Sequence, residues 1–368
     1  GVSAVAFHPA GNTEMAMKKY LQLAVILGSG TVGALLAQWL GLPIPFLLGS
    51  MAMSATVSLT TFSRTGERLW FPARLRHVFI AVIGIMIGTT FNADALNAAS
   101  DLAITLPAMV LFLAIAQIVN FGIFRRIGGF DSVTAKYAAM PGGLIEAVSL
   151  GEKAGGDVEA LSLQHFVRIV LVIVSVPLLF QLFTGEIVGS AAGKTLERAA
   201  AEWQDWMLFS VLGPIGILLG SLLKLPAGPL IGPLVLTAIF QATGVIDLNG
   251  PDMLVSVAQL VVGSALGSNF ARSTPRRLLS AFSLGVLSVG ATLAIASGFA
   301  LLLERAVPMT FEALLISFAP GGVTEMSLVA LSLGVTPVLV TTHHLFRIIL
   351  TVTVAGILTG RTNHIGKG

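Results

Sequence analysis

Residues 140–146, Met-Pro-Gly-Gly-Leu-Ile-Glu, return in the second half of the chain as Ala-Pro-Gly-Gly-Val-Thr-Glu at residues 319–325. In each copy, a His stands 19 residues after the Glu and an Arg stands 22 residues after it. Residues 141–168 align with 320–347 without a gap, at a constant offset of 179, and seven of the 28 positions are identical. A pattern of this length at a fixed spacing indicates an internal duplication.

The Pro-Gly-Gly triplet predicts a break in a helix. Proline removes one backbone donor and glycine loses much conformational freedom on folding, so neither continues a regular helix easily. A helix break beside a carboxylate, made twice, is a suitable place for a ligand. The predicted substrate- or ion-binding residues are Pro141, Gly142, Gly143, Glu146, His165, Arg168, Pro320, Gly321, Gly322, Glu325, His344 and Arg347.

The composition indicates a polytopic membrane protein. Hydrophobic residues make up 55% of the chain, charged residues 11%, and the mean hydropathy is +0.90. Soluble domains carry about 25% charged residues. The net charge of +3 is small and lies mostly in loops, which suits control of topology and argues against nucleic-acid binding. The absence of Cys from the sequence excludes disulfides, zinc-thiolate sites and thiol nucleophiles.

Apolar runs of about 20 residues divide the chain into ten predicted membrane-spanning helices. They lie at 20–40, 43–61, 76–92, 101–124, 156–183, 205–223, 226–244, 252–271, 279–303 and 336–359. The expected organisation is a leader or expression remnant (1–19), a first membrane repeat (20–183), a polar linker (184–204), a second membrane repeat (205–359) and a cytoplasmic tail (360–368). The fold class is therefore all-α, with two repeats of five transmembrane helices plus one Pro-Gly-Gly segment each.

Small residues extend the repeat beyond the central motif. Gly84 and Gly88 match Gly263 and Gly267 at the same offset of 179. Glycines spaced four apart on a helix typically allow close helix packing. They support the duplication and are not expected to form the site.

The charges of the loops indicate how the two halves are related. Residues 62–77 hold four Arg, whereas their counterpart, 245–251, has no basic residue. In the next loop the bias is reversed, because 93–100 has no basic residue and 272–277 holds three Arg. Cytoplasmic loops collect Lys and Arg. Equivalent loops are therefore expected on opposite sides of the membrane, which would make the two repeats inverted.

Ten crossings and two opposed hairpins fit these charge clusters. The basic pair at 18–19 places the N-terminus inside, and the pair at 125–126 brings the chain back inside after four spans. Residues 131–155 are then expected to form a re-entrant hairpin from the cytoplasm, and 308–334 one from outside. A broken helix that crosses completely is the alternative. Both termini are expected in the cytoplasm, with the protein in the bacterial inner membrane.

The two glutamates have two alternative roles. Glu146 and Glu325 could cap the start of the following helix or pair with Arg168 and Arg347. The functional alternative is a protonatable or cation-binding group, and we favour it because charged residues at membrane depth are usually functional.

The two arginines and two histidines also leave alternatives open. Each Arg could bind a carboxylate or phosphate of a substrate bidentately, or neutralise the Glu of its own copy. Each His lies one helical turn before its Arg, on the same face. A hydrogen bond from His165 and His344 to a backbone carbonyl is the common case, and a proton relay is the functional alternative.

A metal enzyme and a membrane regulator are the two alternatives to transport. Two Glu and two His could bind a metal in a helical bundle. However, the sequence lacks a local Glu-x-x-His or His-x-x-x-His pair, so an enzyme with a redox metal is disfavoured and no cofactor is expected. A membrane regulator that senses a ligand would need a partner, because no signalling or DNA-binding module is recognisable.

At 319–326 and 343–347 the chain resembles the AbrB-type duplicated bacterial membrane proteins, and 139–143 and 164–168 fit the same pattern. The similarity covers nearly all of 20–359. This family is unrelated to the small soluble DNA-binding regulator of the same name. Its members are labelled as ammonia monooxygenases or as regulators of gene expression. In architecture it is similar to carriers of the bile-acid symporter and cation/proton antiporter type, an analogy of fold alone.

The sequence thus favours a secondary transporter of a small polar or anionic solute, coupled to protons or sodium. The site is expected at the interface of the two inverted repeats. The expected partners are the lipid bilayer and a small-molecule or ion substrate, and no nucleic acid. Homodimerisation is compatible with this class, since inverted-repeat carriers often dimerise.

Overall fold

The computed structural model describes residues 9–91, 98–184, 202–225, 227–248, 250–272 and 275–365 of the 368-residue chain. Within these ranges all regular structure is helical. The helices are α1 Pro9–Trp39, α2 Pro45–Thr65, α3 Ala73–Gly88, α4 Leu102–Gly122, α5 Ser132–Ala138, α6 Leu144–Lys153, α7 Val158–Thr184, α8 Trp203–Leu222, α9 Gly228–Ala242, α10 Asp252–Ser268, α11 Pro275–Leu303, α12 Phe311–Phe318, α13 Val323–Ser332 and α14 Pro337–Ile365.

Ten of these helices overlap the ten predicted spans: α1–α4, α7–α11 and α14. In the part of the chain that the structure describes, six of them are long and apolar enough to cross a membrane: α1, α2, α4, α7, α8 and α11. Helices α3, α9 and α10 have 16, 15 and 17 residues, fewer than the roughly 20 that a perpendicular crossing needs. The all-helical fold is thus confirmed, whereas the ten crossings stay a prediction.

The predicted leader and the predicted linker lie at the two ends of the first half. Helix α1 begins at Pro9, within the segment that the sequence assigns to a leader. Residues 185–201, which form most of the predicted linker, lie outside the described residues.

The outer surface of the bundle is apolar. Ile118 of α4, Leu182 of α7 and Leu279 of α11 are between 71% and 79% exposed. Large exposed apolar surfaces of this kind are unfavourable in water and mark a surface that faces lipid or another protein. The exposure agrees with the apolar composition of the candidate spans.

One group of helices, α1–α3 with α8–α10, packs through glycines. A methyl group added at Gly33 of α1 or Gly49 of α2 would overlap the backbone of the facing helix. The same overlap would occur between Gly216 of α8 and Gly232 of α9. The packing of this group therefore depends on glycines, because backbones approach closely only where no side chain separates them.

The glycines at the repeated offset make the corresponding contacts between the two halves. Gly84 of α3 packs against the backbone of Leu230 in α9, and Gly263 of α10 packs against that of Leu47 in α2. Helix α3 also packs against α10, its own counterpart. The duplication is thus visible in pairs of equivalent contacts.

The second group, α4–α7 with α11–α14, is centred on α4 and α11. The end of α4 lies beside the middle of α11, where Asn120 donates to Thr292 at 2.8 Å. Further back along α4, Phe112 contacts Phe299 near the end of α11, with ring centroids 5.8 Å apart. The two equivalent helices therefore run antiparallel.

We expect glycine-to-alanine substitution to separate the packed positions from the open ones. Gly33→Ala should lower the free energy of unfolding by about 1–3 kcal/mol, because the new methyl group overpacks the α1–α2 contact. Gly28→Ala, on the same helix with open space around its Cα, is the matched control and should be neutral or slightly stabilising. Thermal unfolding of the purified variants checks this, and equal melting temperatures would contradict the packing role.

Candidate functional site

Both Pro-Gly-Gly segments interrupt a helix at the predicted place. Helix α5 ends at Ala138 and α6 begins at Leu144, while α12 ends at Phe318 and α13 begins at Val323. Gly143 and Gly322 are the N-cap residues of α6 and α13. The predicted breaks are therefore confirmed in both copies.

Helices α5 and α6 form a hairpin whose two ends lie together. Asp131 caps α5, accepting from the amides of Val133 and Thr134 at 2.8 and 3.0 Å. Asp157, at the start of α7, donates its amide to the hydroxyl of Thr134 at 2.9 Å. Hydrogen bonds from the side chain and amide of Thr134 hold the pKa of Asp131 below its ordinary value. The chain thus enters and leaves this segment at the same end, as a re-entrant hairpin requires.

Arg168 and His165 of α7 bind the backbone at the first break. Arg168 donates from Nη1 to the carbonyl of Met140 at 2.7 Å and from Nη2 to that of Gly142 at 2.9 Å. His165 is buried and donates from Nε2 to the carbonyl of Tyr137 at 2.9 Å.

Arg347 and His344 of α14 make the same bonds at the second break. Arg347 donates from Nη1 to the carbonyl of Ala319 at 2.6 Å and from Nη2 to that of Gly321. His344 donates from Nε2 to the carbonyl of Ile316 at 2.9 Å. Each acceptor is the counterpart, at the offset of 179, of an acceptor in the first copy.

These bonds explain the spacing of the repeated motif. A helix that breaks in an apolar interior leaves carbonyl oxygens without partners, and each costs several kcal/mol unless a donor reaches it. The carbonyls lie 26 and 28 residues before the Arg and 28 residues before the His. The carbonyl-bonded role of His165 and His344 is therefore confirmed, and a proton relay finds no support in these contacts.

The glycines of the two triplets allow close packing and do not adopt unusual backbone angles. Gly142, Gly143, Gly321 and Gly322 are absent from the positive-φ glycines of the described chain, so the breaks do not depend on positive φ at these positions. A Cβ at Gly142 would lie 3.0 Å from the hydroxyl of Thr351 on α14. The triplet thus permits close approach. The identical pair Gly155 and Gly334, after α6 and α13, does adopt positive φ, at 86° and 66°.

Glu325 folds back onto the start of its own helix. Its carboxylate occupies the space that a side chain at Gly322 would need. Although Arg347 and Glu325 are both described, they form no ion pair. The pairing alternative is therefore wrong for the second copy, and helix capping is the role that the contacts favour. The side chain of Glu146 lies outside the described residues.

Each hairpin packs against the long helix of the other half. Helix α6 contacts α14, and α13 contacts α7. Gly142, whose carbonyl Arg168 binds, touches Thr351, which lies one helical turn after Arg347. The charge of Arg168 is close enough to act on Arg347. The structure thus brings both copies of the motif together.

Two residues near the site lie outside the repeated pattern. Thr351 has Val172 as its counterpart, and Arg76 of α3, whose charge acts on Glu325, has Val255. Because neither is duplicated, a search for repeated residues could not find them. Arg76 was noticed only as a marker of topology.

A cavity of about 440 Å³ lies beside the first copy, where α7 and α11 begin and α4 ends. Gln164, buried next to His165, lines it with an amide oxygen that has no partner. An exposed ion pair between Glu159 and Arg277 also borders it. Among the described residues, no cluster of three or more His, Asp or Glu could hold a metal.

We expect Arg347→Lys to separate the guanidinium geometry from its charge. A Lys cannot bridge two carbonyls as the planar guanidinium does. The free energy of unfolding should fall by about 1.5–3 kcal/mol, the value of one hydrogen bond to a charged group. Arg126→Lys, in the exposed turn that follows α4, is the matched control. If thermal unfolding of Arg347→Lys matched that of the wild type, the guanidinium would not hold the break.

Comparison with known proteins agrees with the resemblance seen in the motif. The family model described as "Transition state regulatory protein AbrB" matches residues 59–362. "Putative regulator AbrB" of Escherichia coli (strain K12) is 24% identical over 314 residues, which are 84% of this chain and 88% of the relative. "Uncharacterized protein YhjN" of Bacillus subtilis (strain 168) is 24% identical over 285 residues, 74% of each chain. Since the family model covers well over half of the residues, the chain belongs to the AbrB family.

Proposed function

We propose that this protein is a secondary transporter of a small polar or anionic solute in the bacterial inner membrane, with its site where the two Pro-Gly-Gly hairpins meet. The observation that carries the proposal is the reciprocal contact of each broken hairpin with the long helix of the other half, α6 with α14 and α13 with α7. Discontinuous helices at the interface of two repeats bind substrate and ions in many carriers.

The antiparallel course of equivalent helices supports inverted repeats. The contacts along α4 and α11 follow in reversed order, because Asn120 bonds to Thr292 and the earlier Phe112 contacts the later Phe299. Two equivalent helices that run antiparallel are related by an axis in the membrane plane, if both cross the bilayer. Such an axis lets the two halves exchange conformations, which is the usual basis of alternating access.

The hairpin of the first copy, formed by α5 and α6, supports a site inside the bilayer that opens to one side of the membrane. Irregular backbone at membrane depth is tolerated where protein buries it or where it lines a watery cavity. The break at Met140–Gly143 is bound by Arg168, which is only partly buried. We propose the twelve predicted residues of the two motifs as the substrate and ion site, with protons or sodium as the coupling ion.

The first expected outcome concerns topology. A single Cys at Lys153, the last residue of α6, should react with an impermeant maleimide from the same side as a Cys at Arg126, after α4. A Cys at Arg305, after α11, should react only from the opposite side. The chain has no Cys of its own, so each label reports one position. Reaction of positions 153 and 305 from one side would overturn the opposed hairpins.

The second expected outcome concerns transport. A panel of organic acids, inorganic oxyanions and neutral polar solutes is first screened for a rise in melting temperature of the purified protein. A stabilising solute should then accumulate in proteoliposomes under a proton or sodium gradient. Stabilisation without flux under either gradient would overturn transport and favour the regulator suggested by the name of the Escherichia coli relative.

A matched pair of glycine variants tests whether the flux depends on the hairpin contact. Gly142→Val should press against Thr351, at a cost of about 1–3 kcal/mol. If the contact between α6 and α14 changes during transport, this cost should lower the flux by about tenfold or more. Gly122→Val, on α4 with open space around its Cα, should keep the flux. Normal flux in a folded Gly142→Val variant would contradict a role in transport for the contact between α6 and α14.

A further inference from the structure

Two arginines lie near the places where the hairpins contact the long helices, and each binds the carbonyls of one break. Arg347 is 1% exposed and Arg168 is partly buried, and the charge of one acts on the other. A buried charge without a counter-charge costs several kcal/mol. Like charges at close range add to that cost, so a neighbouring negative charge would stabilise the pair.

The carboxylates described in the chain do not supply that charge. Its described ion pairs are Lys18 with Glu67 and Arg277 with Glu159, neither of which involves the two arginines. Glu325 lies against Gly322 instead, where the charge of Arg76 acts on it.

Both arginines retain donors for a ligand. A guanidinium has five N–H groups. In each arginine, two nitrogens donate to the carbonyls of the break, while Nε is buried and has no acceptor in the protein. A buried charged donor without a partner is costly, and such atoms often mark the place of a ligand or ion.

The start of α6 adds to the positive potential. Helix α6, of ten residues, begins at the first break, and its N-cap Gly143 provides no side-chain cap, whereas the carboxylate of Glu325 already lies at the start of α13. The N-terminal end of a helix carries free N–H groups and a partial positive charge that favour anions. Helix starts are common, so this feature supports the arginines and would carry nothing without them.

We propose that a small oxyanion, a carboxylate, sulfate or phosphate, binds between Arg168 and Arg347 and provides the counter-charge of the pair. Its oxygens accept from the Nε–H groups that have no protein partner. The same contacts would link α7 of one half to α14 of the other, so that the anion joins both halves. The inference rests on the proposed function only in identifying this anion with the transported solute.

The test is a titration of the detergent-purified, lipid-free wild type with sodium sulfate, sodium phosphate or sodium succinate, at constant ionic strength maintained with sodium chloride. The expected result is a saturable rise in melting temperature for at least one oxyanion. Arg168→Lys keeps the charge but loses Nε–H, and should raise the half-saturating concentration by about tenfold. Arg126→Lys should leave it unchanged. No rise with any of the three, or the same half-saturation in Arg168→Lys, would overturn the proposal.

A measurement on the unchanged protein covers the case in which Arg168→Lys fails to fold. Phenylglyoxal modifies guanidinium groups, and mass spectrometry reads the modification of each peptide. A bound oxyanion should slow modification of Arg168 and leave exposed Arg126 unaffected. Equal protection of both, or of neither, would contradict the site. Stabilisation that arises only after addition of phosphatidylglycerol would assign the phosphate to a lipid and overturn the free anion.

Glu146 is tested separately, because its carboxylate is the other candidate for the counter-charge. If it neutralised Arg168, Glu146→Gln would gain an oxyanion-dependent stabilisation that the wild type lacks. The proposal expects the wild type to show it already.

The results of the two assays are independent. Oxyanion binding without flux of any solute would leave the anion site standing and remove transport. Flux of a solute that no oxyanion competes with would leave transport standing and remove the anion site.

Discussion

The structure depends on the bonds from two arginines to backbone carbonyls that a broken helix leaves open. In water, such carbonyls bind solvent at little cost. In an apolar interior, each needs an internal donor. Arg168 and Arg347 bridge two carbonyls each, at positions separated by a non-bonded residue, and the histidine one turn earlier reaches a third. The Pro-Gly-Gly break and the His-Arg pair therefore form one unit, and neither would be stable in this interior without the other.

This unit holds the hairpins in place. Glycine packing holds together the helices around them, α1–α3 and α8–α10, which form a frame. Helices α1–α3 and α8–α10 approach at backbone distance through Gly33, Gly49, Gly216 and Gly232. The hairpins belong to the other group of helices and contact the frame mainly through α13 on α3. The close glycine contacts and the irregular hairpins thus lie in different groups, as the proposed transport would require of a site that opens within a fixed frame.

The sequence predicted the elements, the breaks and the carbonyl partners of the two histidines, but not the partners of the arginines. Apolar runs located the ten helices of the predicted spans, and the Pro-Gly-Gly triplets located both breaks. The pairing of Glu325 with Arg347 failed, because spacing fixes which residues share a helix face and leaves the direction of a long side chain open. Arg347 could reach the carbonyls at 319 and 321 only if α12 ended nearby, which is a property of the fold. The cavity beside Gln164 likewise depends on where three helix ends meet.

The two copies share their hydrogen bonds but differ in the packing around them. In the second copy, three phenylalanines fill the space beside the break and one of them contacts the ring of His343: Phe112, Phe299 and Phe318. Their counterparts are smaller or polar: Ala291, Asn120 and Ala139. Gln164, the counterpart of His343, borders the cavity of about 440 Å³. In the transporter that we propose, a duplication with one copy filled and the other beside a cavity would give the two opposed conformations unequal energies. The unpaired residues would then set which conformation is favoured, while the paired residues make the same bonds in both halves.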